Sequence, residues 1–260
     1  MRRTRLEAAM GGAWIAFAVL AWLAPGAAAQ GRAPDMSTMD RYLFAILSRG
    51  PGWTPERTPH TDSLQAGHMA NLQHMAKIGV LVGAGPFQGN GTQRGLFIFH
   101  GVSVDSAKRL CASDPAVNAG RLTLEFHPWL APIGIGDAYQ ERAKRNPQHP
   151  DSMITLAVVY LKDVPHAAPV DSARLVAMRR EHLDGIMGML LSGELLAAGP
   201  LLDGGPIAGV GVFNTDSLTA ARSFENDPMV KAGQVSVETR MWWTAWGVMP
   251  PTPTVRVARP

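Results

Sequence analysis

The sequence AGP at residues 84–86 and the sequence DPAVNAG at residues 114–120 recur as AGP at 198–200 and DPMVKAG at 227–233. The first motif recurs after 114 residues and the second after 113, so one single-residue deletion near Gly101 explains the difference. Other landmarks recur in the same order, and these are His68 with His182, Gly79 with Gly193, and Trp129 with Trp242. This fixed order predicts two copies of one domain of roughly 95 residues.

Hydrophobic periodicity predicts the order strand, helix, strand, strand, helix, strand in each copy. The predicted strands lie near 42–47, 80–84, 96–99 and 122–126 in the first copy and near 153–161, 195–198, 210–213 and 235–246 in the second. The predicted helices lie near 62–78, 104–111, 175–190 and 217–224. This order is typical of an α+β, ferredoxin-like domain, in which both helices cover one face of an antiparallel sheet.

The second face of each sheet also needs cover, and two tandem copies supply it when their sheets pack against each other. We therefore predict an intrachain pseudo-dimer rather than two separate domains. The predicted boundaries are residues 1–29 for a signal peptide, 39–132 for the first domain, 133–151 for a linker, 152–250 for the second domain and 251–260 for a tail.

The N-terminus has the organisation of an export signal. Three arginines within the first five residues precede an apolar stretch from Ala13 to Leu23, and the small residues Ala27 to Ala29 follow. The apolar stretch is shorter than the ~20 residues that a membrane-spanning helix needs, so cleavage after Ala29 is predicted over a retained anchor. The mature protein is expected to be periplasmic or secreted, without a stable membrane span.

The composition limits the classes of partner and the sources of stability. The chain has 46% hydrophobic and 17% charged residues, which is typical of a protein with a buried core. Its net charge is only +3, and the clustered arginines lie near the termini, so no nucleic-acid partner is predicted. Cys111 is the only cysteine, which excludes a disulfide within the chain, and its helical, apolar setting predicts a buried residue without catalytic function.

Four residues are the candidate catalytic groups: His68, Asp114, His182 and Asp227. Each histidine lies on the apolar face of a predicted helix, where a neighbouring carboxylate fixes one tautomer and supports proton transfer near neutral pH. Each aspartate is predicted to end a helix, where the helix dipole disfavours a carboxylate and a paired histidine compensates. The alternative is structural, because Asp-Pro commonly stops a helix and a histidine on an apolar face is usually a core residue.

The candidate ligand-binding residues are Gly85, Pro86, Gly199 and Pro200. These Gly-Pro pairs are predicted to form sharp turns, since they fit no phosphate-binding motif. Glycine nevertheless lets the backbone approach a ligand closely.

Neither a metal site nor an organic cofactor is predicted. His68 and His74 are six residues apart, which places them on different faces of a helix. The tryptophans of the two last strands are predicted to pack on the sheets, and these are Trp129, Trp242, Trp243 and Trp246.

The repeated landmarks resemble those of the YCII-related family, in which a histidine on the first helix precedes an AGP turn and a DP-x-x-x-AG segment. The resemblance covers residues 39–132 and 153–250, so it appears twice. It implies a dimeric α+β barrel fold and an active site built on the His and Asp of each copy. It implies little about the substrate: a few related proteins act on cyclic or chlorinated aromatic breakdown products, and the export signal departs from the family's usual cytoplasmic setting.

The residues leave three functions open. The first is a cofactor-independent enzyme, a lyase, isomerase or dehalogenase, that uses a His-Asp general acid/base on a small cyclic organic compound. The second is a non-catalytic small-molecule-binding module, which a cavity without a second polar group beside the histidine would favour. The third is a structural unit that assembles into homo-oligomers through exposed apolar surface. If one copy is active, the second is favoured, because Glu181 and Asp184 flank His182.

Overall fold

The structure is a computed structural model that describes residues 35–146, 151–253 and 256. The first repeat contains strands β1 (Met39–Arg49), β2 (Leu81–Pro86), β3 (Gln93–His100) and β4 (Leu122–Pro132), and helices α1 (Pro59–Lys77), α2 (Val104–Ala112) and α3 (Pro115–Asn118). Helix α4 (Asp137–Arg145) connects the repeats. The second repeat contains β5 (Met153–Asp163), β6 (Leu195–Pro200), β7 (Ile207–Phe213) and β8 (Val235–Ala245), and helices α5 (Ser172–Ser192), α6 (Ser217–Arg222) and α7 (Pro228–Lys231).

Each repeat forms one four-stranded antiparallel sheet, with strand orders β2-β3-β1-β4 and β6-β7-β5-β8 among the residues described. The predicted α+β class and ferredoxin-like order are therefore confirmed. The helices differ from the prediction in two places. A one-turn helix begins at the proline of each Asp-Pro pair, because proline at the first helical position fits a helix start. The predicted linker also contains α4, so it is partly helical.

Local capping sets the ends of the two long helices. Thr58 caps α1 in a reciprocal arrangement with Thr61, and the Asp171 side chain accepts the Arg174 N–H at the start of α5. Gly193 ends α5 in the left-handed conformation, with φ 78°, as its position after the apolar pattern predicts.

Both faces of each sheet are buried, and the central strands show why. In β1, Phe44 and Ile46 face the opposite sheet, whereas Leu43 and Ala45 face the helices of their own repeat. The corresponding strand β5 alternates in the same way. The sheets thus pack face to face around a shared apolar core, as the intrachain pseudo-dimer requires.

The edges of the two sheets also meet, which closes the eight strands into a barrel. The Leu202 N–H donates to the Pro128 carbonyl at 2.7 Å on one side, and the Gln88 N–H donates to the Met241 carbonyl at 2.8 Å on the other. These contacts join β6 to β4 and β2 to β8.

The AGP motifs lie on these seams. Gly85 and Gly199 belong to strands β2 and β6, so their prediction as sharp turns is wrong. A Cβ on residue 85 would lie 2.0 Å from the Trp243 carbonyl oxygen, and one on residue 199 would lie 1.8 Å from that of Leu130. The glycines are therefore required where backbones of the two repeats approach each other.

The four tryptophans predicted to pack on the sheets differ in burial. Trp129 and Trp242 are fully buried between the sheets. Each donates its indole N–H at 3.2 Å to a seam carbonyl of the other repeat, that of Gly199 or Gly85. Trp243 and Trp246 do not pack into the core, because they are 45% and 48% exposed.

The predicted signal peptide, residues 1–29, lies outside the described residues, so export stays a prediction. Within the described ranges, none of the helices has the length and apolarity needed to cross a bilayer.

Candidate functional site

In the first repeat, His68 and Asp114 meet in a buried pair between α1 and the start of α3. Nδ1 of His68 lies 2.6 Å from Oδ2 of Asp114, and their side chains are only 11% and 2% exposed. The Phe97 ring lies nearly parallel to the imidazole, with centroids 6.1 Å apart and an angle of 19° between the planes. The pair is thus covered by the core of its own repeat.

The second repeat contains the same pair in a different setting. Nδ1 of His182 lies 2.5 Å from Oδ2 of Asp227, so the structure brings both predicted pairs together. The His182 side chain lines a cavity between α5 and the outer face of the second sheet. With Nδ1 bonded to the carboxylate, Nε2 is the ring nitrogen left to face a ligand there.

The predicted electrostatic setting of the aspartates is wrong. Asp114 and Asp227 do not end helices; each is the N-cap residue of a short helix, α3 or α7. One carboxylate oxygen accepts backbone N–H groups, from Ala116 in the first repeat and from Met229 and Val230 in the second. The N-terminal end of a helix carries partial positive charge, so the N-cap position stabilises the ionised carboxylate. The other oxygen holds the histidine, so each aspartate ties the long helix to the short one.

The pKa of both aspartates is lowered. Burial is the largest influence and acts upward, but the hydrogen bond from the histidine, its charge and the backbone N–H donors together outweigh burial. Both groups are therefore carboxylates at neutral pH.

Acidification is expected to remove the stability that these two aspartates contribute. Their folded pKa lies below the usual 3.8, so their contribution is complete above pH 3.8 and is lost as the pH falls through the folded pKa. The wild-type free energy of unfolding, measured by urea denaturation, should fall more steeply between about pH 4 and 2 than that of the Asp114→Asn, Asp227→Asn double variant. Parallel pH profiles for the two proteins would contradict the lowered pKa values.

The cavity beside His182 has a volume of about 180 Å³ and a mainly apolar wall. Helix α5 and strands β5 to β7 contribute most of this wall, and Met229 closes one part of it. Met36, Met39 and Leu130 reach it from the first repeat, so the site is built by both repeats. An apolar cavity with few polar groups is the usual form of a small-molecule site.

Two more polar side chains line the cavity, and neither was among the site residues predicted from the sequence. These are Asp163, at the end of β5, and Arg179, three residues before His182 on α5. Burial raises the pKa of the Asp163 carboxyl, and the charge of Arg179 acts in the opposite direction. The i, i+3 spacing of Arg179 and His182 was a usable signal, because such residues share a helix face.

The predicted ligand-binding residues divide between the two repeats. Gly199 and Pro200 line the cavity beside His182, whereas Gly85 and Pro86 are not part of its wall. Binding of a ligand by any of the four stays a prediction, since close backbone packing already requires both glycines.

Other candidate groups have structural settings. Cys111 is buried, and burial raises the pKa of its thiol to about 12, which keeps it protonated. Within the described residues, no three His, Cys, Asp or Glu side chains are grouped so that they could hold a metal ion. Two further His-Asp pairs lie elsewhere, His100 with Asp40 and His127 with Asp203.

Comparisons with known proteins support the fold. Neither a protein-family model nor a curated protein matches the chain. Among solved structures, a mutant chlorite dismutase from Candidatus Nitrospira defluvii is similar, with 12% identity, a TM-score of 0.50 and coverage of 81% of this chain and 92% of that one. A proposed monooxygenase from Lactobacillus acidophilus NCFM is also similar, with 11% identity, a TM-score of 0.42 and coverage of 85% and 100%. Likeness at such identities concerns the fold alone. Together with the two joined sheets, the likeness to the chlorite dismutase shows that this chain has the dimeric α+β barrel fold.

Proposed function

We propose that this chain is an exported, YCII-related protein that binds a small cyclic organic compound and acts on it with His182 and Asp227 as a general acid/base. The observation that carries the proposal is the position of His182, which bonds Asp227 and also lines the apolar cavity. The duplicated motifs on a dimeric α+β barrel support the family assignment.

The geometry suits removal of a proton from carbon. Asp227 accepts a hydrogen bond from Nδ1–H, so the unprotonated form of His182 presents a lone pair at Nε2. A C–H proton beside a carbonyl moves to Nε2, and its electron pair stays on the substrate as an enolate. The Asp227 carboxylate stabilises the resulting imidazolium, which returns the proton to the same or another carbon.

Two charged side chains, Asp163 and Arg179, line the cavity together with His182, and the positive one favours catalysis over binding alone. Arg179 lines the same wall as His182, and its positive charge would stabilise an enolate more strongly than the neutral substrate. A pure receptor for an apolar ligand needs no such group.

A non-catalytic binding module in which the His-Asp pairs are structural is the second candidate, and the first repeat favours a structural pair. There the same His-Asp geometry is buried within its own repeat, so the pair tied to the short helix needs no ligand. The second pair has the same geometry, so it would have the same structural role in a binding module.

Deuterium exchange tests the acid/base proposal. The wild type, incubated in D2O with a panel of small cyclic ketones and unsaturated lactones, is expected to incorporate deuterium beside the carbonyl of at least one compound. His182→Gln should slow this exchange roughly 100- to 10,000-fold, the usual contribution of a general base. His68→Gln is the matched control and should leave the rate unchanged.

Three outcomes decide between the candidates. Equal exchange by the wild type and His182→Gln, with both folded by circular dichroism, would contradict catalysis by this pair. Binding of the panel compounds without exchange would support the non-catalytic module. Loss of exchange in both histidine variants would assign the pair a structural role.

A further inference from the structure

His127 is a buried histidine whose second ring nitrogen lacks a hydrogen-bond partner. It lies on β4, in the first repeat, and is only 8% exposed. Its Nδ1 lies 2.7 Å from Oδ2 of Asp203, in the β6–β7 loop, so the pair joins the two repeats. Its Nε2 is shielded from solvent and has no hydrogen-bond partner among the described residues. A buried polar atom without a partner is costly, so this nitrogen needs a physical explanation.

A carboxylate faces the same nitrogen. Glu125 lies two residues before His127 on β4, and alternate residues of a strand point to the same face. Oε2 of Glu125 lies 3.9 Å from Nε2 of His127. The Glu125 side chain is 68% exposed, so it can move relative to the imidazole without disturbing the core. The two side chains therefore form an adjustable pair of an imidazole and a carboxylate.

The separation of the two atoms suits a metal ion between them. A direct N–H···O hydrogen bond needs about 2.9 Å, and a water that bonds both atoms needs them roughly 4.5 Å apart. Zinc bonds imidazole nitrogen and carboxylate oxygen at about 2.0–2.2 Å, which places its ligand atoms roughly 3.3–3.7 Å apart at tetrahedral to trigonal angles. A small rotation of the exposed glutamate changes the observed 3.9 Å to such a value.

Asp203 holds the imidazole in the form that a metal ion needs. Because its carboxylate accepts a hydrogen bond from Nδ1–H, the unprotonated ring of His127 presents its lone pair at Nε2. Histidines that bind metals almost always donate their other N–H to a carboxylate, a carbonyl or water, which fixes the ring and raises its basicity. The partner that orients a metal-binding histidine is thus already in place.

The second repeat has a cation of its own at the equivalent place. Arg240 and Glu238 lie on β8, 113 residues after His127 and Glu125, which is the offset of the repeat in this region. The Arg240 guanidinium bonds the Glu238 carboxylate. In the first repeat a histidine stands where the second has this arginine, so a cation that bonds Glu125 has to come from elsewhere.

We propose that His127 and Glu125 bind one divalent transition-metal ion, for which zinc serves as the probe, at the position equivalent to the Arg240 guanidinium. Imidazole and carboxylate are both ligands that zinc accepts. Water completes the coordination shell, because the described residues supply no group of three His, Cys, Asp or Glu ligands. This site goes beyond the proposed function, which uses a different histidine and no metal.

The phenol of Tyr160 is a second unpartnered group near this pair. Tyr160 is completely buried, and its O–H has no hydrogen-bond partner in the part of the chain that the structure describes. Phe44 pairs with His127 on the neighbouring strand, and its ring meets that of Tyr160 edge-on, with centroids 6.2 Å apart. Burial raises the pKa of this phenol, and the charge of Glu125 is among those that act on it. An O–H donor at this place suits a metal-bound water.

Zinc titration of the untagged full chain, after removal of metal with a chelator, tests the site. The wild type is expected to bind one zinc ion there in calorimetry. Glu125→Gln should weaken the affinity at least roughly tenfold and His127→Gln roughly 100-fold, because each removes one of two protein ligands. Asp203→Asn should weaken it roughly 10- to 100-fold, the usual effect of losing the partner of a metal-binding histidine.

The other His-Asp pairs provide matched controls. His100→Gln changes the pair that contains Asp40, and His182→Gln changes the pair beside the cavity. Both variants should keep the wild-type zinc affinity. Zinc should also shift the ¹⁵N signal of His127 Nε2 far more than that of Nδ1, a signature that a merely structural role does not produce.

The outcomes are decisive even if one variant does not fold. Should His127→Gln be unfolded, Glu125→Gln still tests the site, since its side chain is exposed. A wild type that binds no zinc, or a folded ligand variant with unchanged affinity, would overturn the proposal. Loss of zinc binding in His182→Gln alone would place the ion in the cavity and would overturn it too. Deuterium exchange that depends on His182 tests the proposed function separately.

Discussion

Replacing Gly199 with alanine is expected to destabilise the protein by about 3 kcal/mol or more, the upper part of the cost of overpacking. The added Cβ would lie 1.8 Å from the Leu130 carbonyl oxygen, and an oxygen in the backbone of another strand cannot rotate away. Gly85→Ala should have a similar effect, because its Cβ would lie 2.0 Å from the Trp243 carbonyl oxygen. Both substitutions push apart the strands that close the barrel.

Urea denaturation of Gly85→Ala and Gly199→Ala measures this cost, and Gly185→Ala is the control. Gly185 lies within α5 and is exposed, and a Cβ added to it would have open space within 4 Å. Its replacement should raise the free energy of unfolding by about 0.5–1 kcal/mol, because alanine favours helix. Wild-type stability of both seam variants would show that the strands are not in close contact.

Replacing Trp242 with alanine is expected to cost about 3–5 kcal/mol, the usual effect of removing a large aromatic side chain from a core. Trp242 is completely buried between the sheets. Its indole N–H also donates to the Gly85 carbonyl, so the substitution leaves this seam acceptor without its partner. Trp129→Ala should act in the same way through Gly199 on the opposite seam.

The neighbouring residue on the same strand provides the control for this prediction. Trp243 is 45% exposed, so Trp243→Ala should change the free energy of unfolding by only about 0.5 kcal/mol. Thermal and urea unfolding of the three single variants gives the comparison. Similar losses for Trp242→Ala and Trp243→Ala would contradict the placement of Trp242 in the shared core.

Together these effects explain why the AGP motif and the last-strand tryptophan recur as a set. Each glycine permits the close approach of β2 to β8 or of β6 to β4, and each tryptophan bonds the carbonyl of that glycine. The motif predicted to bind a ligand thus has a structural function in both repeats, and in the second it also borders the cavity.

The two His-Asp pairs were predictable, but their electrostatic setting was not. Helical spacing placed each histidine on a buried face, and the repeat supplied an aspartate at nearly the same distance twice. The Asp-Pro sequence is compatible both with the end of one helix and with the start of the next. Only the backbone that follows Asp114 and Asp227 shows that each aspartate caps a helix start.

One aligned position at which the two repeats differ, Phe97 and Gly211, has a place in the fold that could not be recognised from the sequence. The alignment of the copies pairs Phe97 with Gly211, but many aligned residues differ, and the sequence does not say which of them faces the histidine. Stacking on His68 depends on strand β3 lying under helix α1, a contact between residues far apart in the chain.

The amino-acid sequence alone was sufficient for the repeat, the α+β class and the pairing of sheets, because duplication and hydrophobic periodicity report burial directly. The tertiary structure was needed for the barrel seams and for the cavity beside His182. Both depend on how closely distant parts of the chain lie: a Cβ on residue 199 would meet the Leu130 carbonyl oxygen, and the cavity wall combines residues of both repeats. The sequence does not show these distances.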